Sequence, residues 1–103
     1  HVVHVGANSS FAFQPSAVAA EVGDTVKFIF RAFNHTLRES SLESPCTPLE
    51  EGFNSGFNQY NPTDARGLAV SFSVNSPGPR YFYCEQMLPI SHCEVGMVFA
   101  LNS

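Results

Sequence analysis

Tryptophan is absent from the chain, and basic residues are scarce, five against nine acidic ones for a net charge of -4. A protein that binds nucleic acid needs a basic face, so this balance argues against that class of partner. The mild acidic balance is compatible with a cationic partner surface but does not specify one. No apolar run approaches the roughly 18 residues of a membrane-spanning helix, so no transmembrane segment is expected. No secretory leader opens the chain, and a mature or trimmed amino terminus at His1 is expected. Charged residues are only 14% of the total, while ten Phe and three Tyr supply aromatic bulk. That composition is globular rather than disordered, and 103 residues make one domain, residues 1–103, with a single core.

Cysteine is present but odd in number, three in all. In an oxidising compartment one pair closes and one thiol is left to explain. Cys93 directly follows a candidate ligand and Cys46 lies in the Ser/Pro loop after His35, so these two are paired. Cys84 is then free. A reduced cytosolic protein with three buried thiols is the competing reading.

Strand signals run through the chain. Val2 to Val5 opens a strand that turns at Gly6-Ala7-Asn8, and Phe11 to Pro15 is a second extended piece with Phe11 and Phe13 on one face. Ala17 to Val22 is weakly patterned, and Gly23-Asp24 is a hairpin signal. Thr25 to Arg31 alternates cleanly, with Val26, Phe28 and Phe30 on one face. Phe33 to Arg66 is loop-like, with a short helix expected at Thr47 to Glu51, where Thr47 is an N-cap and Pro48 the first helical position. Gly67 to Val74 alternates with Leu68, Val70, Phe72 and Val74 inward, and Asn75 to Pro79 is a turn cluster. Arg80 to Cys84 and Gly96 to Leu101 are the last strands. Seven to eight short strands with turns between them predict an all-β, antiparallel Greek-key sandwich with little helix.

Chemistry concentrates between Tyr81 and Ala100, where Cys84, His92 and Met97 fall within fourteen residues. Thiol, imidazole and thioether suit copper better than calcium or magnesium, and two His, one Cys and a weak axial Met make a type 1 copper site. His35, at the end of the clearest strand, supplies the second imidazole. Each has a plainer reading: a loop histidine, a core methionine, an inert buried thiol. Zinc would require four strong ligands, drawn from Cys84, His92, Cys93 and either Cys46 or His35. Adjacent residues such as His92 and Cys93 point apart in extended chain, which counts against it. A second copper at the His1 amine and ring is a further alternative, although His4 faces away from His1 on a strand. Asn8-Ser9-Ser10 is a glycosylation sequon in a surface turn, consistent with secretion. Asn34-His35-Thr36 also matches but lies at a metal ligand.

With those residues in place the chain resembles a cupredoxin, above all the secreted fungal cupredoxin-like proteins related to plant phytocyanins. The resemblance runs through Val-Gly-Ala-Asn near the start, Phe-Gln-Pro, Val-Gly-Asp-Thr-Val-Lys-Phe-Ile-Phe, Asn34-His35-Thr36, Ser44-Pro45-Cys46, Gly52 to Phe57, Tyr81 to Cys84 and His92 to Asn102. It implies a Greek-key β-sandwich, one blue copper ion held by His35, Cys84, His92 and Met97, and a Cys46–Cys93 disulfide. It also implies an extracellular or cell-surface setting. A monomer that passes single electrons to a redox partner is expected, and not an enzyme, because four protein ligands leave no open position for substrate. The alternative is an extracellular copper-binding or cell-wall module without redox turnover. Two features depart from the pattern. Seven residues separate Cys84 from His92, where related loops are shorter, and Met87 within them could compete with Met97. Arg80-Tyr81 stands where many relatives carry tryptophan.

Overall fold

The computed structural model describes residues 1–57, 59–64 and 67–103, so Asn58, Ala65 and Arg66 of the expected loop lie outside the described residues. Among these residues eight strands form: β1 (Val2–Val5), β2 (Phe13–Gln14), β3 (Ala17–Val18), β4 (Thr25–Phe30), β5 (Arg38–Ser40), β6 (Ala69–Ser73), β7 (Arg80–Tyr83) and β8 (Val98–Leu101). They make two four-stranded sheets, ordered β2-β1-β4-β6 and β3-β8-β7-β5. The β-sandwich expected from the sequence is therefore formed, but its sheets are mixed. β1 runs parallel to β4, and β3 runs parallel to β8.

The alternating sequence of β4 explains why it sits centrally. Val26, Phe28 and Phe30 are buried between the sheets while Thr25 and Lys27 face solvent. Val3 and Val5 of β1, Phe72 of β6, and Phe82, Phe99 and Leu101 of the second sheet complete the same core. Aromatic edges lock the sheets together: Phe28 meets Phe99 at 5.2 Å and Phe82 at 6.4 Å, and Phe72 meets Phe82 at 5.4 Å. Such pairs contribute about 0.5–1.5 kcal/mol each beyond the area they bury.

Three local expectations are corrected. The turn at Gly23-Asp24 exists, with Gly23 at φ 97°, but it is not a hairpin, because β3 and β4 belong to different sheets. The supposed loop contains β5, which pairs antiparallel with β7. No helix forms over Thr47 to Glu51. The Leu49 N–H is taken by the Glu39 carbonyl at 2.8 Å, and Glu51 adopts φ 62°, which ends any right-handed helix. The helical turn among the described residues is a short 3-10 piece at Ala7–Ser9.

Strand direction fixes where chemistry can occur. β1 and β4 are parallel and end at Val5 and Phe30, β7 ends at Tyr83, and β8 begins at Val98. Gly6, His35, Cys84 and Met97 each lie just beyond one of these ends, in the connections that the sandwich holds.

Candidate metal centre

Cys84 directly follows β7, Met97 directly precedes β8, His92 lies in the connection between them, and His35 comes from the β4–β5 connection. His35, Cys84 and His92 converge so that their ligand atoms all lie within 4.8 Å of one another. The Cys84 Sγ lies 3.8 Å from His35 Nδ1 and 3.5 Å from His92 Nδ1. An ion with bonds of about 2.0–2.3 Å at trigonal or tetrahedral angles spans donor separations of roughly 3.5–3.8 Å, so these edges fit one metal ion. Met97 is fully buried, whereas Met87 is 61% exposed, which leaves Met97 as the methionine of the interior.

Backbone hydrogen bonds set the positions. The Cys84 N–H donates to the Met97 carbonyl at 3.2 Å, the Met97 N–H to the His92 carbonyl at 3.0 Å, and the His92 N–H to the Gln86 carbonyl at 3.0 Å. The Thr36 N–H donates to Cys84 Sγ at 3.3 Å, and the Thr36 hydroxyl accepts from the Glu85 N–H at 2.9 Å. Thr36 therefore clips the His35 connection to the Cys84 connection. His92 Nε2 lies 2.9 Å from the Leu88 carbonyl, which can only accept. The proton is thus on Nε2, and Nδ1 presents its lone pair to the thiol side. One further support is the Cys46–Cys93 disulfide, which ties the residue after His92 to the β5–β6 connection with a Cα separation of 5.8 Å.

Electrostatics favour neutral ligands. Burial, with His92 nearby, pushes the His35 imidazole down from 6.5 to about 4. Burial likewise lowers His92, against an opposing pull from the Leu88 carbonyl. Burial raises the Cys84 thiol, outweighing the amide donors of Thr36 and Gln86. At neutral pH the group is therefore one thiol and two neutral imidazoles. This donor set suits a soft or borderline ion.

The four-ligand zinc reading loses its donors. Cys46 and Cys93 are joined to each other, so the four-ligand zinc site has no thiolates beyond Cys84. His1 Nε2 contacts Asp24 at 2.9 Å, and His4 Nδ1 faces Arg31 at 3.4 Å. His92 is only 2% exposed. The Phe11 ring packs on it at a centroid distance of 4.4 Å. Phe11, Phe33, Tyr60 and Leu88 wall an apolar cavity of about 520 Å³ whose lining includes both His35 and His92.

Reading the sequence for ligands missed Gly6, Phe11, Thr36 and Leu88. Gly6 has φ 77°, and a Cβ built there would stand 2.3 Å from His35 Nε2, so the histidine ring fills the space a side chain would occupy. Gly6 and Thr36 fall inside short motifs flagged in the sequence, but nothing in their chemistry separates them from ordinary turn residues. Leu88 acts through its carbonyl, which no side-chain pattern reports.

Two packed sheets with a buried His-Cys-His group at one end define the cupredoxin fold with a candidate copper site. Solved structures agree on the fold. Plastocyanin from Dryopteris crassirhizoma superposes with a TM-score of 0.63 at 21% identity, covering 98% of this chain and 97% of that one. A purple cupredoxin from Nitrosopumilus maritimus gives 0.67 at 14% identity over 97% and 95%. Reduced auracyanin from Roseiflexus castenholzii gives 0.62 at 13% identity over 97% and 92%. In sequence the chain is similar to a probable GPI-anchored cupredoxin of Arthroderma benhamiae, 30% identical over 100 residues. That match covers 97% of the chain but 49% of the relative, so the chain spans about half the relative's length. No family profile matches the chain. By fold and by sequence it is cupredoxin-like.

Proposed function

We propose that the chain is a one-electron carrier holding a single type 1 copper ion, with His35, Cys84 and His92 as the strong ligands and Met97 as the weak axial one. The observation that carries this reading is the convergence of one buried thiol and two buried imidazoles within 4.8 Å. When bound, copper supplies the one-electron couple. The protein's own residues hold a dry, preset geometry for it. Thr36 donates to the sulfur, Leu88 orients His92, and the phenylalanine core excludes water. Four protein ligands leave no open position for a substrate, so the chain is a carrier rather than an enzyme on this reading.

The partner is a redox protein or small redox molecule that approaches at the cavity beside His92, where Phe33, Tyr60 and Leu88 are exposed. The setting is extracellular or at the cell surface, in keeping with the disulfide and with the GPI-anchored relative. The test is a copper titration of metal-free protein read by visible absorption and voltammetry, with Cys84→Ser alongside. The expected result is an intense thiolate-to-copper band saturating at one equivalent, absent in the variant, together with a reversible one-electron wave. Copper binding without that wave would leave the non-redox binding module as the function.

A further inference from the structure

The sequon Asn8-Ser9-Ser10 plays no part in the metal centre, and the fold separates it from the chain's other Asn-X-Ser/Thr triplets. Asn8 and Ser9 are exposed in the turn between β1 and β2, with Asn8 at φ 56°. Asn34-His35-Thr36 has the same pattern but the opposite environment. His35 is 2% exposed, Thr36 is fully buried, and the Asn34 Oδ1 is enclosed. A sugar there would require the centre to open. Asn61-Pro62-Thr63 carries the proline that disqualifies a sequon, and the Asn61 amide donates to the Phe30 carbonyl at 3.1 Å.

The geometry points to Asn8 as the site of an N-linked glycan. The inference rests on the extracellular reading, since the donor, a lipid-diphosphate-linked oligosaccharide, is met in the secretory pathway. Asn8 Nδ2 forms the new bond to the anomeric carbon. The bond from that carbon to the diphosphate oxygen breaks, one amide proton is lost, and the lipid diphosphate leaves. The location has a consequence for the proposed function. Ser9 lines the same apolar cavity as Phe11, His35 and His92. A glycan on Asn8 therefore stands at the rim of the face through which His92 is approached. It crowds a protein partner there while leaving a small molecule free to enter.

The chain is secreted from a glycosylating yeast behind a foreign leader, and glycopeptides are mapped after enzymatic deglycosylation in heavy-oxygen water. The expected mark is at Asn8 and not at Asn34, with all glycan mass lost in Asn8→Gln and in Ser10→Ala. Folded, disulfide-bonded protein that leaves the cell without sugar at Asn8 overturns the site. Because the leader forces export, that result does not bear on where the native chain resides, which fractionation of its source cells decides. The copper-loaded forms are then reduced by ascorbate and by a c-type cytochrome. The glycan should slow the cytochrome by a few fold and leave ascorbate unchanged. Equal cytochrome rates with and without the sugar overturn the crowding. If no coloured copper form exists, the copper reading has failed while the glycan map stands.

Discussion

Substituting Gly6 by alanine tests the centre without replacing any proposed ligand. Two penalties add at this position. At φ 77° a Cβ costs about 1–2 kcal/mol of backbone strain. The same Cβ also stands 2.3 Å from His35 Nε2 and 2.5 Å from Cδ2, where ordinary contact begins at 3.4 Å, so the imidazole must retreat by about an ångström. Overpacking a filled interior costs roughly 1–3 kcal/mol. The metal-free protein should therefore lose about 2–5 kcal/mol by urea denaturation. Displacing His35 Nδ1 from its 3.8 Å approach to Cys84 should weaken copper by about 10–100-fold, the usual effect of disturbing a ligand's support. Gly23→Ala is the matched control, since Gly23 has φ 97° and a Cβ added to it would meet nothing within 4 Å. It carries the strain without the clash. The assay is denaturation of both variants followed by competitive copper titration. If Gly6→Ala matched Gly23→Ala in both stability and affinity, His35 would not be held against Gly6, and the argument for a preset site would fail.

The metal-free protein should lose stability as pH falls from about 6.5 towards 4. The unfolded state binds a proton at His35 over that range and the folded state does not, a loss on the order of 3 kcal/mol by calorimetry. Flat stability over that window would contradict the buried neutral imidazole. Below pH 4.5 a second loss should follow. Burial would raise the Glu39 carboxyl, but the Arg80 hydrogen bonds at 2.6 and 2.8 Å outweigh it and hold it below its ordinary value, so its stabilisation is present above 4.5 and disappears on protonation. Glu39→Gln should remove that second step and leave the first. Copper uptake near neutral pH should release one proton, from the Cys84 thiol, because both imidazoles are already neutral. Titration in buffers of different ionisation enthalpy counts it, and a count near zero would mean a thiolate already formed. Replacing both Cys46 and Cys93 by alanine opens a link of 47 residues, for which chain entropy alone gives about 4 kcal/mol in urea denaturation. A loss below about 1 kcal/mol would show that the unfolded chain is already constrained.

The strands legible in the sequence were those whose two faces differ. β4 alternates between core and solvent throughout, and its limits were readable to within one residue. β5 was not legible, because Arg38, Glu39 and Ser40 carry no apolar alternation at all. Those polar residues are nevertheless drawn into a sheet. Glu39 is only 5% exposed because its carboxylate is spanned by Arg80 and accepts the Phe53 N–H, and Arg80 in turn lies 4.5 Å above the Phe72 ring. Hydrophobic period cannot report a strand whose burial depends on an ion pair with a residue 41 positions away. The helix expected at Thr47 to Glu51 failed for a related reason. Its capping signals are local, and the tertiary bond from Leu49 to Glu39 overrode them.

The centre shows the same division. Part of it was legible, since a thiol and an imidazole as close in sequence as Cys84 and His92 are rarely assembled without a shared task, and the structure brings both together with His35. What was not legible is what holds them. The Cys84, Met97, His92 and Gln86 backbones form a relay of hydrogen bonds, and Thr36 joins that relay to the His35 connection through both its amide and its hydroxyl. None of these bonds uses a ligand nitrogen, and none needs the ion. The seven-residue stretch before His92 therefore does not loosen the centre. Its length is taken up by the Leu88 carbonyl folding back to His92 Nε2, by Gln86 accepting from Met87 and Leu88, and by the disulfide just beyond. A frame closed before the metal arrives should bind it with little change in backbone order. Amide exchange at Thr36, Cys84 and Met97 should thus be slow already in the metal-free protein. Fast exchange there would mean that the ion, and not this relay, builds the site.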